Sequence, residues 1–268
     1  MTGTAAIIIP ARYASTRYPG KPLAKLRGAT GASKSLIERS WDTAKSVKGN
    51  VQSFVATDDD RIAEAATAFG AQVLMTSPDC ANGTERCAEA AAGLNFSPDI
   101  VVNLQGDAPL TPPWFVESLI QTMQSNPDIQ VATPVLRCDD HALQGFLDDR
   151  AAGRVGATTA VFDRTGRALY FSKEVIPYTG GALTKDGVCP VFHHVGVYAY
   201  RPDALKSYSG LEPGPLEQWE GLEQLRFMEH GHPVHCVEVD ARGAKFWELN
   251  NPEDVPRIEA VLAEAGMP

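Results

Sequence analysis

The chain has 268 residues, enough for one large α/β domain or two small ones, and its 44% hydrophobic and 21% charged content is that of an ordinary globular protein. A formal charge of −9 weighs against non-specific nucleic-acid binding. The apolar run Ala5–Ile9 is too short for a signal segment or a membrane span, so no membrane insertion is expected. The five cysteines (Cys80, Cys87, Cys138, Cys189, Cys236) are odd in number and lack paired metal-ligand spacing, which fits reduced thiols in a cytoplasm. Against the acidic whole, the first 27 residues carry Arg12, Arg17, Lys21, Lys25 and Arg27 and no acid. That excess suits either an anionic ligand or a solvated basic face.

The run Ala5–Ile9 reads as a first buried strand stopped by Pro10. The loop from Pro10 to Leu23 follows, rich in Pro, Gly and hydroxyls, with Arg12, Arg17 and Lys21 at intervals. A glycine-bearing loop after the first strand of an α/β fold gathers backbone N–H groups suited to phosphate. Its spacing matches neither the Walker loop nor the dinucleotide fingerprint. A βα alternation continues: helix 34–47, strand 51–56, helix 59–69, strand 71–75, helix from Asn82 to Ala92, strand 99–104, helix 112–124 and strand 130–136. This rhythm predicts a parallel sheet with right-handed crossovers.

The second half breaks the pattern. Residues 157–162 and 168–171, joined by the turn Asp163-Arg164-Thr165-Gly166, predict a β-hairpin, and residues 178–190 predict a mobile loop. One strand over 191–200, one helix over 216–229, a strand over 234–239 and a helix from Pro252 to about Glu264 complete the chain. The expected organisation is a single domain, 1–268, with a hairpin subdomain at about 155–190.

Within it, Val101-Val-Asn-Leu-Gln-Gly-Asp107 reads as an interior strand ending in glycine and a carboxylate. Asp107 would project into the crevice at the strand's carboxyl end, where one or two carboxylates and phosphate oxygens suffice for Mg²⁺. The alternative is a cap of the next turn or helix.

Several blocks, in order and spread over nearly the whole chain, carry a resemblance. They are Pro10-Ala-Arg-Tyr-Ala-Ser-Thr-Arg-Tyr-Pro-Gly-Lys-Pro-Leu23, Ala56-Thr-Asp58, Gly83-Thr-Glu-Arg86, Asn103-Leu-Gln-Gly-Asp107, Leu169-Tyr-Phe-Ser-Lys173, His194-Val-Gly-Val-Tyr-Ala-Tyr-Arg201, Leu222-Glu-Gln-Leu-Arg226 and Asn251-Pro-Glu-Asp254. Together they resemble the 3-deoxy-manno-octulosonate cytidylyltransferases, or CMP-KDO synthetases.

The resemblance implies a Rossmann-like nucleotidyltransferase fold, a mostly parallel twisted sheet with an inserted hairpin, and a homodimer. It implies the reaction CTP + KDO → CMP-KDO + pyrophosphate with Mg²⁺, serving lipopolysaccharide or capsule biosynthesis. By the same resemblance Arg12, Ser15, Arg17 and Lys21 hold the triphosphate, Asp107 and Asn250 hold the metal, and Gly83, Thr84 and Arg86 belong to the nucleotide pocket. Gln105, Lys173, His194, Glu223 and Gln224 face the sugar acid; for Glu223 and Gln224 a helix-surface role is the alternative.

Departures from the family pattern are Ala108 for Glu, Lys173 for Arg, the turn Gly28–Lys34, and Asn250 for a metal-binding Asp. Lys lacks the bidentate fork of Arg, and Asn removes a charge but keeps an oxygen for a hard cation. Glu248 would share a face with Asn250 on a regular strand. These changes leave open a different 2-keto sugar acid, amino-KDO or sialic-acid-like, or a nucleotide-binding relative without turnover. His230, His232 and His235 flank Gly231 and Pro233 and read as a surface turn before a zinc site. Of His193 and His194 only one can face the cleft, and His194 is expected there. Trp219, Trp247 and Tyr198 are expected in the core or pocket wall.

Overall fold

A computed structural model describes residues 3–15, 18–155, 157–180, 183–184, 187–245, 247–249 and 251–268. In chain order the first half comprises β1 (Ala5–Ala11), β2 (Lys25–Arg27), β3 (Ser33–Ser35), α1 (Leu36–Ser46), β4 (Val51–Thr57), α2 (Asp60–Ala68), β5 (Gln72–Met75), α3 (Gly83–Ala92), β6 (Ile100–Leu104), α4 (Pro113–Ser125) and β7 (Val131–Arg137). The second half comprises α5 (Asp140–Ala151), β8 (Thr158–Phe162), β9 (Ala168–Ser172), β10 (Phe192–His194), β11 (Val197–Tyr200), α6 (Pro202–Tyr208), α7 (Pro215–Glu220), α8 (Gln224–Glu229), β12 (Val234–Val239) and α9 (Val255–Glu264).

Helix starts follow local chemistry. Ser35 and Glu38 form a reciprocal capping box on α1, while Asp59, Asn82 and Asp139 cap α2, α3 and α5 through their side chains. β1 and β6 are buried along their whole length, which is why both read as unbroken apolar runs. One face of the sheet packs Ile7, Ile9, Val102 and Leu104 with Ile37 and Leu119; the other packs Ile8, Val101, Tyr198 and Tyr200 with Cys87 and Phe227.

The main sheet runs β5-β4-β1-β6-β11-β7-β10-β8-β9, with β12 also on β7. It is mixed: β5, β4, β1 and β6 form a parallel core, β12 is parallel to β7, and β11, β10, β8 and β9 pair antiparallel. The expected strand over 191–200 is two strands, a difference that organises the molecule. β10 pairs with β7 and β8, whereas β11 pairs with β7 and β6, so one ribbon changes its outer neighbour halfway along. The register slips between His194↔Val135 and Ala199↔Ala132, and Val197 N donates to Val195 O at 2.7 Å. Thr133 Oγ1 secures the kink, reaching Val197 O at 2.8 Å and Val195 O at 3.3 Å. The sheet therefore forks at Gly196.

The expected helix over 216–229 is likewise two, α7 and α8, broken where Gly221 turns left-handed at φ 60°. Neither α5 nor α6 was expected, nor the small β2–β3 sheet that occupies the departing turn. α5 buries only Leu143, so it carries no apolar stripe to read. In the expected loop 178–190, Gly181, Ala182, Lys185 and Asp186 lie outside the described residues. Among the described residues no helix is long and apolar enough to cross a membrane.

Candidate active site

The carboxyl ends of β1, β4 and β6 converge with the amino end of α3. Next to β1, Gly20 N donates to Tyr13 O at 2.9 Å and closes the loop from Pro10 to Leu23. The Tyr13 ring lies 3.4 Å from the Arg61 guanidinium carbon, and Arg61 is clamped in turn by Asp59 at 3.0 and 2.6 Å. Arg12 is exposed, with Nη1 3.5 Å from Ala81 O across the cleft. Ser15 Oγ accepts from Tyr18 N at 3.4 Å. Arg17 lies outside the described residues.

The loop meets the central strand at one ion pair: Lys21 Nζ stands 2.9 Å from Asp107 Oδ2. Asp107 O accepts from Leu249 N at 2.9 Å, which draws the segment around 248–249 to the same place. Asn250 lies outside the described residues. Glu248 reaches inward, its Oε1 3.4 Å from the point where a side chain on Gly196 would begin, with Gln105 Cγ 3.8 Å from that point. Residues 247–249 are not in a strand, so the alternation argument for Glu248 and Asn250 does not apply there.

Gln105 Nε2 donates to Glu223 Oε1 at 3.0 Å, and Thr84 N donates to Glu223 Oε2 at 3.2 Å. The carboxylate thus caps the amino end of α3, where the helix dipole favours it. Burial raises the Glu223 carboxyl above its ordinary range, the Thr84 donor opposes that, and Asp107 adds to the rise. A Cβ on Gly83 would fall 2.9 Å from Gln105 Nε2, so a side chain there would push the Gln105 amide from its place against Glu223.

Four expected pocket residues do not reach the pocket surface: Thr84, Arg86, His194 and Gln224 are 1%, 2%, 5% and 2% exposed. Arg86 pairs with Asp58 at 3.2 Å and binds Thr76 Oγ1, holding the end of β4 to α3. Thr84 Oγ1 meets Tyr200 Oη at 3.1 Å. Tyr198 Oη donates to Gln224 Oε1 at 2.9 Å, which places Tyr198 in the core wall as expected. His194 does not open to the cleft. Its ring sits between Phe171 and Tyr198, with Nε2 2.9 Å from Thr133 Oγ1, and burial, then His193, pushes its pKa down to about 3. It is a neutral member of the layer behind the pocket.

On the far side Lys173, at the end of β9, faces the α7–α8 break. Sequence reasoning missed the residues that hold this wall. Glu220 accepts from Ser172 Oγ, Lys173 N and Tyr170 Oη at 2.7, 2.8 and 3.4 Å. Buried Arg226 is gripped by Glu217 at 2.7 Å and by Glu85 at 3.0 Å. The apolar series Leu216, Trp219 and Leu222 carries the helical signal of this stretch, and the acids between them carry none. Trp219 itself is 89% exposed, contrary to its expected core place, because α7 turns that face outward. Trp247 is half-buried under Arg257 at 3.3 Å. His230 Nε2 meets Glu212 O at 3.0 Å, His232 packs edge-on to Phe227, and His235 lies against the hairpin turn at Gly166. All five cysteines are buried free thiols. Among the described residues no group of three or more His, Cys, Asp or Glu could hold a metal ion.

A parallel nucleotide-binding core with a cationic loop after its first strand is the frame of a nucleotidyltransferase, and residues 6–238 match the cytidylyltransferase family model. The chain is a cytidylyltransferase. It is 44% identical over 259 residues to the 3-deoxy-manno-octulosonate cytidylyltransferase of Maricaulis maris (strain MCS10), covering 97% of each chain. To the mitochondrial 3-deoxy-manno-octulosonate cytidylyltransferase of Arabidopsis thaliana it is 40% identical over 265 residues, covering 97% of this chain and 83% of that one. A solved CMP:2-keto-3-deoxy-manno-octonic acid synthetase complexed with CTP superposes with a TM-score of 0.82 at 35% identity, covering 98% of this chain and 99% of that one. The chain belongs to the 3-deoxy-manno-octulosonate cytidylyltransferase family.

Proposed function

We propose that this protein transfers CMP from CTP to KDO, releasing pyrophosphate, as one catalytic unit whose hairpin subdomain serves the acceptor. The observation that carries the reading is the Lys21–Asp107 pair, which joins the phosphate loop to the end of the central strand. In such a transfer the anomeric hydroxyl attacks the α-phosphorus in line with the departing pyrophosphate, so positioning and charge neutralisation do most of the work. Arg12, Ser15, Arg17 and Lys21 bind the triphosphate, and Lys21 neutralises charge that develops on pyrophosphate. Gly83 and Thr84 shape the nucleotide wall through the α3 terminus, with Arg86 bracing it through Asp58.

Gln105, Glu223 and Lys173 face the sugar acid, and Gln224 and His194 support them from behind. The Asp107 side chain is 31% exposed and offers hard carboxylate oxygen, which fits Mg²⁺. Asp107 and Asn250 are the residues that would hold it. When bound, Mg²⁺ lowers the charge on the phosphates.

The departures at Lys173, Ala108 and Asn250 leave a second reading in which the acceptor is a related 2-keto sugar acid such as amino-KDO. The test is pyrophosphate release from CTP and Mg²⁺ with KDO and a panel of other 2-keto sugar acids. Release with KDO is expected. Release confined to another acid moves the substrate, and no release from protein that binds CTP refutes the activity.

The working form in this reading is a homodimer built on edge strand β9, where Leu169 is exposed, and light scattering measures it. Five reduced thiols accord with a cytoplasmic setting.

A further inference from the structure

Lys173 is half-buried, yet among the described residues no carboxylate lies within ion-pair distance of its ammonium. A cation so placed calls for an anion. The nearest acid in the chain's own hydrogen bonding is Glu220, and it binds Lys173 through the main chain. Glu220 Oε2 accepts from Lys173 N at 2.8 Å, and Oε1 accepts from Ser172 Oγ at 2.7 Å and Tyr170 Oη at 3.4 Å. With these three neutral donors taken up, its charge is committed to the strand end.

The side chain of Lys173 lies across Gly221. A Cβ there would lie 2.9 Å from Nζ, and the φ of 60° independently selects glycine. The ammonium thus lies at the α7–α8 break, two residues before Glu223 in the chain, whose own carboxylate accepts from Gln105 Nε2 and Thr84 N.

We infer that Glu220 is a positioning residue for the acceptor: it pins the Lys173 backbone while leaving the ammonium, passing over Gly221, for the carboxylate of the sugar acid. This rests on the reading that Lys173 faces the acceptor. A tether that merely held the hairpin in place would act on stability and on both substrates alike.

The test compares E220A, K173M, the double variant and S172A by steady-state kinetics, and by calorimetric Kd for KDO in the absence of CTP. E220A is expected to raise KM and Kd for the sugar acid about tenfold, with KM for CTP within about twofold. K173M is expected to do at least as much, and adding E220A to it to change KM less than about twofold further, because the two act in series. S172A removes one donor to the same carboxylate but keeps the Lys173 N–H bond, and its KM should stay within about twofold. An E220A effect that persists undiminished in the K173M background, or that falls equally on CTP, overturns the role of Glu220 alone. Unchanged KM and Kd in K173M overturn the placing of Lys173 and the inference with it.

Discussion

Replacing Arg226 by methionine would strip the charge from the joint between α8 and α3 while keeping much of the side-chain volume. The guanidinium is 4% exposed, grips Glu217 with two bonds of 2.7 Å and Glu85 with one of 3.0 Å, and stacks 4.3 Å from the Tyr208 ring centre. Its loss leaves two carboxylates, 12% and 20% exposed, without their cation. Breaking a buried pair in this way costs about 3–5 kcal/mol, a large share of a total stability of about 5–15 kcal/mol. For a chain of this size that is a fall in Tm of roughly 6–20 °C, measurable by calorimetry and by urea titration at pH 7.5.

The deficit should shrink toward pH 4. Acid neutralises a stranded carboxylate and so removes the unpaired charge, which makes the loss largest at neutral pH. R226M/E217L, which removes one stranded charge, should recover part of the loss. A destabilisation below about 1 kcal/mol, or one that does not change with pH, would refute the view that this triad holds α7 and α8 to α3.

D107N should lower turnover on the order of 10²-fold or more while leaving Tm nearly unchanged, as measured by pyrophosphate release and calorimetry. N250D should reduce the Mg²⁺ concentration for half-maximal activity about tenfold; an unchanged requirement counts against Asn250 as a ligand. Buried His194, held near pKa 3, titrates at ordinary pH only when the chain unfolds. Its stabilising effect is therefore complete above pH 6.5 and is lost as pH falls, by about 2 kcal/mol at pH 5. H194N should flatten the stability profile between pH 7.5 and 5, and an unchanged slope in denaturant titrations would contradict the neutral-imidazole assignment.

The parallel core was legible because β1 and β6 are buried on both faces and cannot avoid being apolar, and because α2 and α3 begin at side-chain caps and α4 begins at proline. The joining of Lys21 to Asp107, 86 residues away, was legible only through the motifs' resemblance. Periodicity does not encode which strand pairs with which. The fork at Gly196 was hidden for that reason: Gly196 alone interrupts a strand-forming run and marks a bulge at most, and the change of neighbour depends on β6 and β8. The break at Gly221 was masked by the regular series Leu216, Trp219, Leu222, Leu225 and Met228, which runs straight across it. His194 and Arg86 were assigned to the pocket by motif, but strand alternation and helix facing cannot tell a pocket surface from the layer behind it.

The forked ribbon also divides the molecule's freedom to vary. β11 joins the parallel core through β6, and β10 joins the hairpin through β8, yet the two are consecutive stretches of one chain fastened to the same β7. The outer end of the hairpin is tied to β12, where Cys236 N donates to Gly166 O at 2.7 Å and His235 packs on Gly166, so only its exposed tip, Arg164 and Thr165, is free to change. Changes near Gly196 enjoy no such licence, because Gln105 and Glu248 both lie against it. Descendants of this sequence can therefore vary at the hairpin tip while the junction at Gly196 is inherited whole.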